Sequence, residues 1–587
     1  MKKFLLTCCL FLSCVALFAA KALPTPVLVN QSDGSELWVV GHGDEHFNWV
    51  TTTDGVILKQ QDKAYYVAAI SEQGELSATD QLAHQPELRL AAELRAIALQ
   101  EESKIYFDRR LSAPVTRAPI NREPIQQQQN FFTHTGQPKA LVLLVEFADT
   151  VFKEKDPVAS FDQFLNGEGR PTDLGFGEAR NYKSVSSYFE DMSFGQFKPV
   201  FDVKGPIKLT QQSAYYGNGK GMSVLFTDVV KACDGDINFK DYDANGDGKV
   251  DVCCIIYAGY SGSMTQNKAD IWPNSAAVSV STGDGVTVSR YCVTGERNGT
   301  PKSTVQSIAG IGIFCHEFSH TMGLPDIYAT NSEMQTHDNQ SMEYWDLMDG
   351  GEYLSSGRMP TPYTAWEREA FGWMEIETLS TPQQVALVNI DEGGKAYRIK
   401  NDQDATGNEY WILENIQNTK WNQAQHGKGL IIYHVDYDKT AFSLPTNNVN
   451  NTAGHPRFAL VPADGKCLAS ANATDADTYY AELGGDPFPG TKNVKEIAAN
   501  STLPNMKAYN GDFTFRLPNI NELDGTVYVD FNEVFATTGL DRVQETTPSA
   551  RKADDRIFTL DGIYVGRDFE LLPAGVYIQN GRKVVNK

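Results

Sequence analysis

The sequence predicts a multidomain α+β protein, with a mixed α/β centre between a small strand-rich N-terminal unit and a C-terminal β-sandwich. Three observations carry this. At 587 residues the chain is too long for one core, so several domains are expected. Short alternating apolar runs broken by Asp33-Gly34, Asp54-Gly55 and Gln73-Gly74 fill the first part of the chain, and strand-like runs between polar turns return beyond Leu379. Between them, residues 140–147 form one continuous apolar run, the pattern of a strand buried on both faces.

Taken in order, Lys2 and Lys3 precede an apolar run over 4–18 and then the small residues Ala19, Ala20 and Ala22. Charge, a short hydrophobic stretch and small residues define a secretory signal peptide, residues 1–22, so the chain is expected outside the cell or at its surface with no transmembrane anchor. Residues 23–130 are a propeptide-like domain and linker. Strands such as 37–40 and 64–67 lead into an amphipathic helix over about 86–102. The Pro-, Arg- and Gln-rich stretch from Arg109 to Gln129 reads as a linker open to cleavage at Arg110, Arg117 or Arg122.

The central domain is placed at 131–380. After the apolar run, Ser184 is poised to cap a helix whose Val185, Tyr188, Phe189 and Met192 follow helical spacing. The strand over 250–258 could lie along a cleft and pair with an extended peptide. Strands at 397–400, 410–415 and 429–437 then announce the β-sandwich, 381–536. Residues 537–587 are a linker and a short β module, in which 576–579, Asn580-Gly581 and 582–585 read as a hairpin with a type I′ turn.

A net charge of -23 and a pI near 4.9 argue against nucleic-acid or anionic-membrane partners. Three of the nine cysteines leave with the signal peptide. The six that remain are too few for a disulfide framework in a chain this size, and pairing is left open.

Chemistry concentrates in residues 315–326, Cys-His-Glu-Phe-Ser-His-Thr-Met-Gly-Leu-Pro-Asp. On a helix, His316 and His320 share one face and can grip one cation. Glu317 projects beside that face, where it can act as base on a water without binding the metal. Gly323 allows the left-handed turn that ends the helix, and Pro325 forbids its continuation, so that Asp326 returns as a third ligand. Two imidazoles, one carboxylate and an open position describe a catalytic zinc site. A bare H-E-x-x-H arises by chance in roughly one per cent of chains this long. The added Gly and Asp at fixed steps lower that by about two orders of magnitude.

This motif, H-E-x-x-H-x-x-G-x-x-D, together with Tyr344-Trp345-Asp346-Leu347-Met348-Asp349-Gly350-Gly351, resembles the M6 metalloproteases, the immune-inhibitor-A-like secreted peptidases. Further similar stretches lie at 185–190, 193–195, 201–206, 270–273, 365–373 and 486–490. The resemblance implies a metzincin-like catalytic domain, a zymogen, and Met348 as the Met-turn residue beneath the zinc. It implies protein or peptide substrates, cleaved when Glu317 takes a proton from water and passes it to the departing amine. If the N-terminal unit masks the metal, the blocking ligand is not a cysteine. Asp44, in the His42-Gly43-Asp44-Glu45-His46 cluster, is the candidate.

A second metal signal is the loop from Asp243 to Asp251. Side chains of Asp243, Asn245, Asp247 and Asp251, the Lys249 carbonyl and Gly248 match a calcium loop, but the twelfth position is Cys254 where an EF-hand has glutamate. A structural calcium, not a sensor site, is expected. The tail is similar to the C-terminal sorting modules of Bacteroidetes exported proteins. The competing reading is a catalytically silent exported binding or adhesion protein that works through its β-sandwich and calcium loop.

Overall fold

The computed structural model describes residues 27–43, 48–61, 64–112, 131–168, 181–217, 222–265, 269–299, 301, 307–330, 341–444, 446–467, 476–512 and 514–535, with strands 557–559, 564–566, 575–579 and 582–586. The expected signal peptide, Asp44, Arg117 and Arg122 lie outside these residues. The chain divides into two units, residues 1–122 and 123–587.

In the first unit, β1 (Val27–Asn30), β2 (Glu36–Gly43), β3 (Asn48–Thr52), β4 (Ile57–Gln61), β5 (Ala64–Ile70) and β6 (Leu76–Leu82) form one antiparallel sheet in sequence order. Helix α1 (Ala91–Ser112) packs on β5 and β6. Its buried Gln100 is a clamp: its amide nitrogen donates to the Ile57 and Ala68 carbonyls, both at 2.7 Å, and its oxygen accepts from the Ile57 amide. The helix differs from the expected 86–102. A single 3-10 turn covers Pro86–Leu88, and the α-helix begins later and runs ten residues past Glu102. Phe107 sustains the extra turns by burying its ring edge-on against Trp49, 5.7 Å between centroids.

The second unit is built on a sheet of order β11-β12-β10-β7-β8, comprising β7 (Lys139–Glu146), β8 (Val200–Lys208), β10 (Cys253–Tyr260), β11 (Asn274–Ser281) and β12 (Thr287–Arg297). A two-residue strand β9 (Lys249–Val250) extends the pairing along β12. The sheet is parallel except for β11. Alternation places Ala140, Val142 and Leu144 of β7 in one core and Leu141, Leu143 and Val145 in the other, which is why this run shows no polar period. Helices α2 (Pro157–Asn166), α3 (Val185–Met192) and α5 (Ile311–Thr321) fill the first core, and α4 (Met222–Cys233) the second. Ser184 caps α3 by accepting from the Ser187 amide, as expected.

The strand expected over 250–258 is two strands, broken at Asp251 and Val252. Its longer part, β10, is central, hydrogen-bonded to β7 on one side and β12 on the other. It has no free edge for a peptide, because a period-2 pattern reveals a strand but not its neighbours. The free edges belong to β11 and β8.

Beyond α6 (Ala365–Ala370) stands a five-stranded sheet of order β13-β15-β16-β17-β18: β13 (Glu377–Thr378), β15 (Tyr397–Lys400), β16 (Glu409–Ile416), β17 (Gly429–Asp436) and β18 (Phe458–Leu460). A three-stranded sheet carries β14 (Gln383–Leu387), β19 (Asn519–Leu523) and β20 (Thr526–Phe531). Trp411, Leu413, Leu430 and Ile432 share a core with Val385, Val527 and Val529 of the smaller sheet. The alternate residues Tyr410, Ile412, Ile431, Tyr433 and Val435 belong instead to the core that holds α5. Every residue of β16 and β17 is therefore buried. Polar ties reinforce the junction: Glu414 of β16 accepts from the Ala365 amide at 2.7 Å, and fully buried Arg368 donates to Asp391. His434 and Asp436, on one face of β17, engage different partners. His434 stacks between Trp411 and Tyr509 and bonds Glu409, whereas Asp436 meets His455 and Arg457.

At the C-terminus, β21 (Ile557–Thr559), β22 (Tyr564–Gly566), β23 (Gly575–Gln579) and β24 (Arg582–Asn586) form a small sheet. In it Gln579 pairs with Arg582 across a two-residue loop. Among the described residues no helix is long and apolar enough to cross a membrane. Among the described residues the six cysteines, Cys233, Cys253, Cys254, Cys292, Cys315 and Cys467, are free thiols.

Candidate metal centre

Helix α5 is buried along its whole length, and its first turn is held by Asn181, whose side-chain oxygen accepts from the Ile311 amide at 3.0 Å. His316 and His320, one turn apart, stand edge to face with ring centroids 4.9 Å apart. The helix ends at Met322, Gly323 takes φ +110°, and the chain turns back. Asp326 thereby reaches the imidazoles: its Oδ1 is 3.1 Å from His316 Nε2 and 3.3 Å from His320 Nε2. Among the described residues this is the one His/Cys/Asp/Glu group whose ligand atoms gather closely, all within 4.8 Å.

Hydrogen bonding behind the rings decides what the gathering means. His316 Nδ1 meets the Leu347 carbonyl at 2.9 Å and His320 Nδ1 meets the Leu324 carbonyl at 2.7 Å. A carbonyl only accepts, so each Nδ1 carries a proton and each ring turns its Nε2 inward. Those two nitrogens face Asp326 Oδ1, which is buried and has no hydrogen bond of its own. A carboxylate oxygen buried against two imidazole nitrogens needs positive charge beside it, supplied by protons on the rings or, in their place, by a metal cation. The donor set, two imidazole nitrogens and one carboxylate, suits zinc. The residues present fit the metal.

Glu317 follows His316 and is almost wholly buried. Burial lifts its carboxyl to about 7, against the pull of the imidazoles of His316 and His320. Met348 is fully buried. Its carbonyl accepts from the Ile327 amide at 2.8 Å, so its turn braces the Asp326 loop, while the carbonyl of neighbouring Leu347 orients His316. Asp346 holds that turn by accepting from the Met348 amide at 2.7 Å. Trp366 and Trp373 serve packing, with indole nitrogens bonded to the Tyr410 hydroxyl and the His134 carbonyl.

The sequence reading missed several groups here. Glu352 Oε2 lies 3.8 Å from His316 Nδ1, and Tyr328 stacks on His316 with centroids 6.5 Å apart. Asn447 hydrogen-bonds Asp326. A carboxylate behind a histidine ligand is a recurrent arrangement, but nothing in sequence spacing pairs position 352 with 316.

In the Asp243–Asp251 loop the side chains bond the loop's own amides. Asp243 accepts from Asp247 and Gly248, Asn245 from Asp247, Asp247 from Lys249, and Asp251 from Ala244. Gly246 and Gly248 take φ of +73° and +81°. Burial and then the neighbouring Asp243 and Asp247 raise the Asp251 carboxyl.

A histidine pair and a carboxylate around an H-E-x-x-H helix, on a mostly parallel sheet, define a metalloprotease-type domain. The comparisons point to its family. Residues 127–375 match the model described as immune inhibitor A peptidase M6, catalytic domain, which supports an M6 metalloprotease. The chain is 25% identical over 318 residues to the pre-pro-metalloprotease PrtV of Vibrio cholerae serotype O1, covering 45% of this chain and 34% of the relative. It is 24% identical over 330 residues to immune inhibitor A of Bacillus thuringiensis subsp. alesti, covering 46% of each. The chain thus spans between a third and a half of these curated relatives' lengths.

Proposed function

We propose that this chain is a secreted zinc metalloendopeptidase that hydrolyses peptide bonds of extracellular proteins. The observation that carries the reading is the convergence of His316 Nε2, His320 Nε2 and a donorless Asp326 Oδ1 beside buried Glu317. These three side chains would hold zinc, which when bound supplies electrophilic polarisation of a carbonyl and a water. The protein's own part is to hold and move the proton. A Glu317 carboxyl near 7 accepts a proton from water and surrenders it to a departing amine at neutral pH. The Leu347 and Leu324 carbonyls keep both imidazoles in the ligating tautomer, so neither competes for that proton. Of the two free sheet edges, β11 packs against α5 and is the one beside the centre where an extended peptide could add a strand.

Four further parts belong to this proposal. Export follows from the pattern at residues 1–22. Synthesis as a zymogen follows from the N-terminal unit and the arginine-bearing linker, and the Vibrio relative's own name is that of a pre-pro-enzyme. Asp44 as the masking ligand rests on its sequence setting alone. A structural calcium in the loop of Asp243, Asn245, Asp247, Lys249 and Asp251 is supported by the spacing of its oxygen-bearing side chains and by the glycine-formed bend. Calorimetric titration with calcium of the whole chain and of Asp247→Ala tests it, with heat expected from the first only.

The decisive experiment is Glu317→Gln. Hydrolysis of a fluorogenic peptide should fall about 10²–10⁴-fold, with zinc content by mass spectrometry unchanged. An active Glu317→Gln, or a wild-type protein without zinc, defeats the reading. A silent binding protein gains nothing from such a glutamate, and no observation favours it.

A further inference from the structure

The two oxygens of Asp326 are used differently. Oδ1 faces the imidazoles, whereas Oδ2 accepts from the side-chain amide of Asn447 at 2.6 Å. The oxygen of that same side chain accepts from the Asp326 backbone amide at 2.8 Å. One primary amide therefore closes a ring with the ligand residue and fixes its backbone and its carboxylate together. Asn447 lies 121 residues downstream, well beyond the stretch matched at 127–375.

Asn447 is itself held in place. It takes φ +48°, a left-handed conformation that asparagine tolerates better than most residues. Its amide donates to the Ser443 carbonyl at 2.8 Å, and its carbonyl accepts from the Thr330 hydroxyl at 2.8 Å. Asn450 donates to the Ile327 carbonyl at 2.6 Å and to the Phe458 carbonyl at 2.8 Å, which fastens the segment to β18. The chain after β17 thus grips the Asp326–Thr330 loop at several points, and the five-stranded sheet anchors the grip.

We infer that Asn447 is a positioning residue for the third metal ligand, and that the C-terminal sheet is thereby part of the centre. An amide donor engages Oδ2 and leaves the other oxygen aimed at the imidazoles, which favours one-oxygen ligation. Tyr328 also reaches the Asp326 carboxyl, but Asn447 holds that carboxylate and the Asp326 backbone amide together. The inference rests on the zinc reading above.

The test uses the full chain as wild type, Asn447→Ala, Asn447→Asp and Asn451→Ala. Zinc affinity is measured against a chromogenic chelator, and the visible spectrum is recorded after loading with Co²⁺. Urea unfolding of each metal-free protein reports whether the fold survives. Asn447→Ala should bind zinc about 10–100-fold more weakly. Asn447→Asp is nearly isosteric but sets a carboxylate oxygen against Oδ2, so it should bind more weakly still and shift the Co²⁺ bands. Asn451→Ala, which loses bonds to Thr330 and Asn448 but leaves both bonds between Asn447 and Asp326 in place, should stay close to wild type. Should Asn447→Asp not fold, Asn447→Ala decides. Wild-type affinity and spectrum in the Asn447 variants, or an equal loss in Asn451→Ala, overturn the inference. A wild-type chain that binds no zinc defeats the zinc reading itself.

Discussion

Gly312 lies in the first turn of α5, one turn ahead of His316. Replacing a helical glycine with alanine ordinarily stabilises, by about 0.5–1 kcal/mol. Here the sign should reverse. A Cβ on residue 312 would lie 1.9 Å from the Glu352 carbonyl oxygen and 3.2 Å from Gly357 Cα. Both are backbone atoms and cannot rotate aside. Restoring ordinary contact distance requires the helix and the 350–358 segment to part by about 1.5 Å. Such overpacking costs about 1–3 kcal/mol, and α5 is buried throughout, so it has no solvent side to yield toward. The net expectation for Gly312→Ala is a loss of about 1–2 kcal/mol after the propensity gain. The same parting draws Glu352 and the turn of Leu347 away from His316 Nδ1, so zinc affinity should fall with stability. Urea unfolding followed by tryptophan fluorescence, with a chelator competition on the same samples, measures both. An alanine variant as stable as wild type with unchanged zinc binding would refute the argument.

Three further outcomes follow from the same structure. Zinc at about 100 times its dissociation constant should stabilise the chain by about 3 kcal/mol over the chelated protein, read as a higher Tm, and a Tm indifferent to EDTA would contradict the site. Burial alone would raise the Glu409 carboxyl, yet bonds from His434, the Tyr509 amide and Asn401 outweigh it and hold it at about 2, below its ordinary 4.5. A depressed carboxylate contributes stability above its unfolded value and loses it as pH falls through the folded one, so about 3 kcal/mol should vanish between pH 4.5 and 2; the Glu409→Gln penalty in urea should accordingly be large at pH 7 and small near pH 2. Finally, residues 123–380 expressed alone should lack cooperative unfolding, since Ile412, Ile431, Tyr433 and Val435 complete the core around α5 and each buried side chain contributes about 1.5–3 kcal/mol; a sharp two-state melt would show that core to be self-sufficient.

How much of this was legible in the sequence depends on the reach of each interaction. The H-E-x-x-H spacing, Gly323 and Asp326 lie within eleven residues, where helix period and turn chemistry dictate geometry, and these side chains do come together. Ser184 and the 140–147 run are local in the same sense. The extra turns of α1 were not legible, because Phe107 is kept helical by a contact with Trp49 that no local pattern encodes. The neighbours of β10 were not legible either, since alternation is blind to pairing. The groups behind the ligands are harder still. Leu347 and Leu324 act through backbone carbonyls, which every residue type possesses, so their identity carries no signal. Asn447 stands in an asparagine-rich stretch whose composition says only loop. Its meaning comes from a fold that returns the chain to Asp326 after five further strands, β13 to β17, have been laid down. The ligands can therefore be read in one short window, but the geometry that makes them ligate is distributed across both sheets, and the C-terminal strands are as much a part of the centre as the helix that bears the histidines.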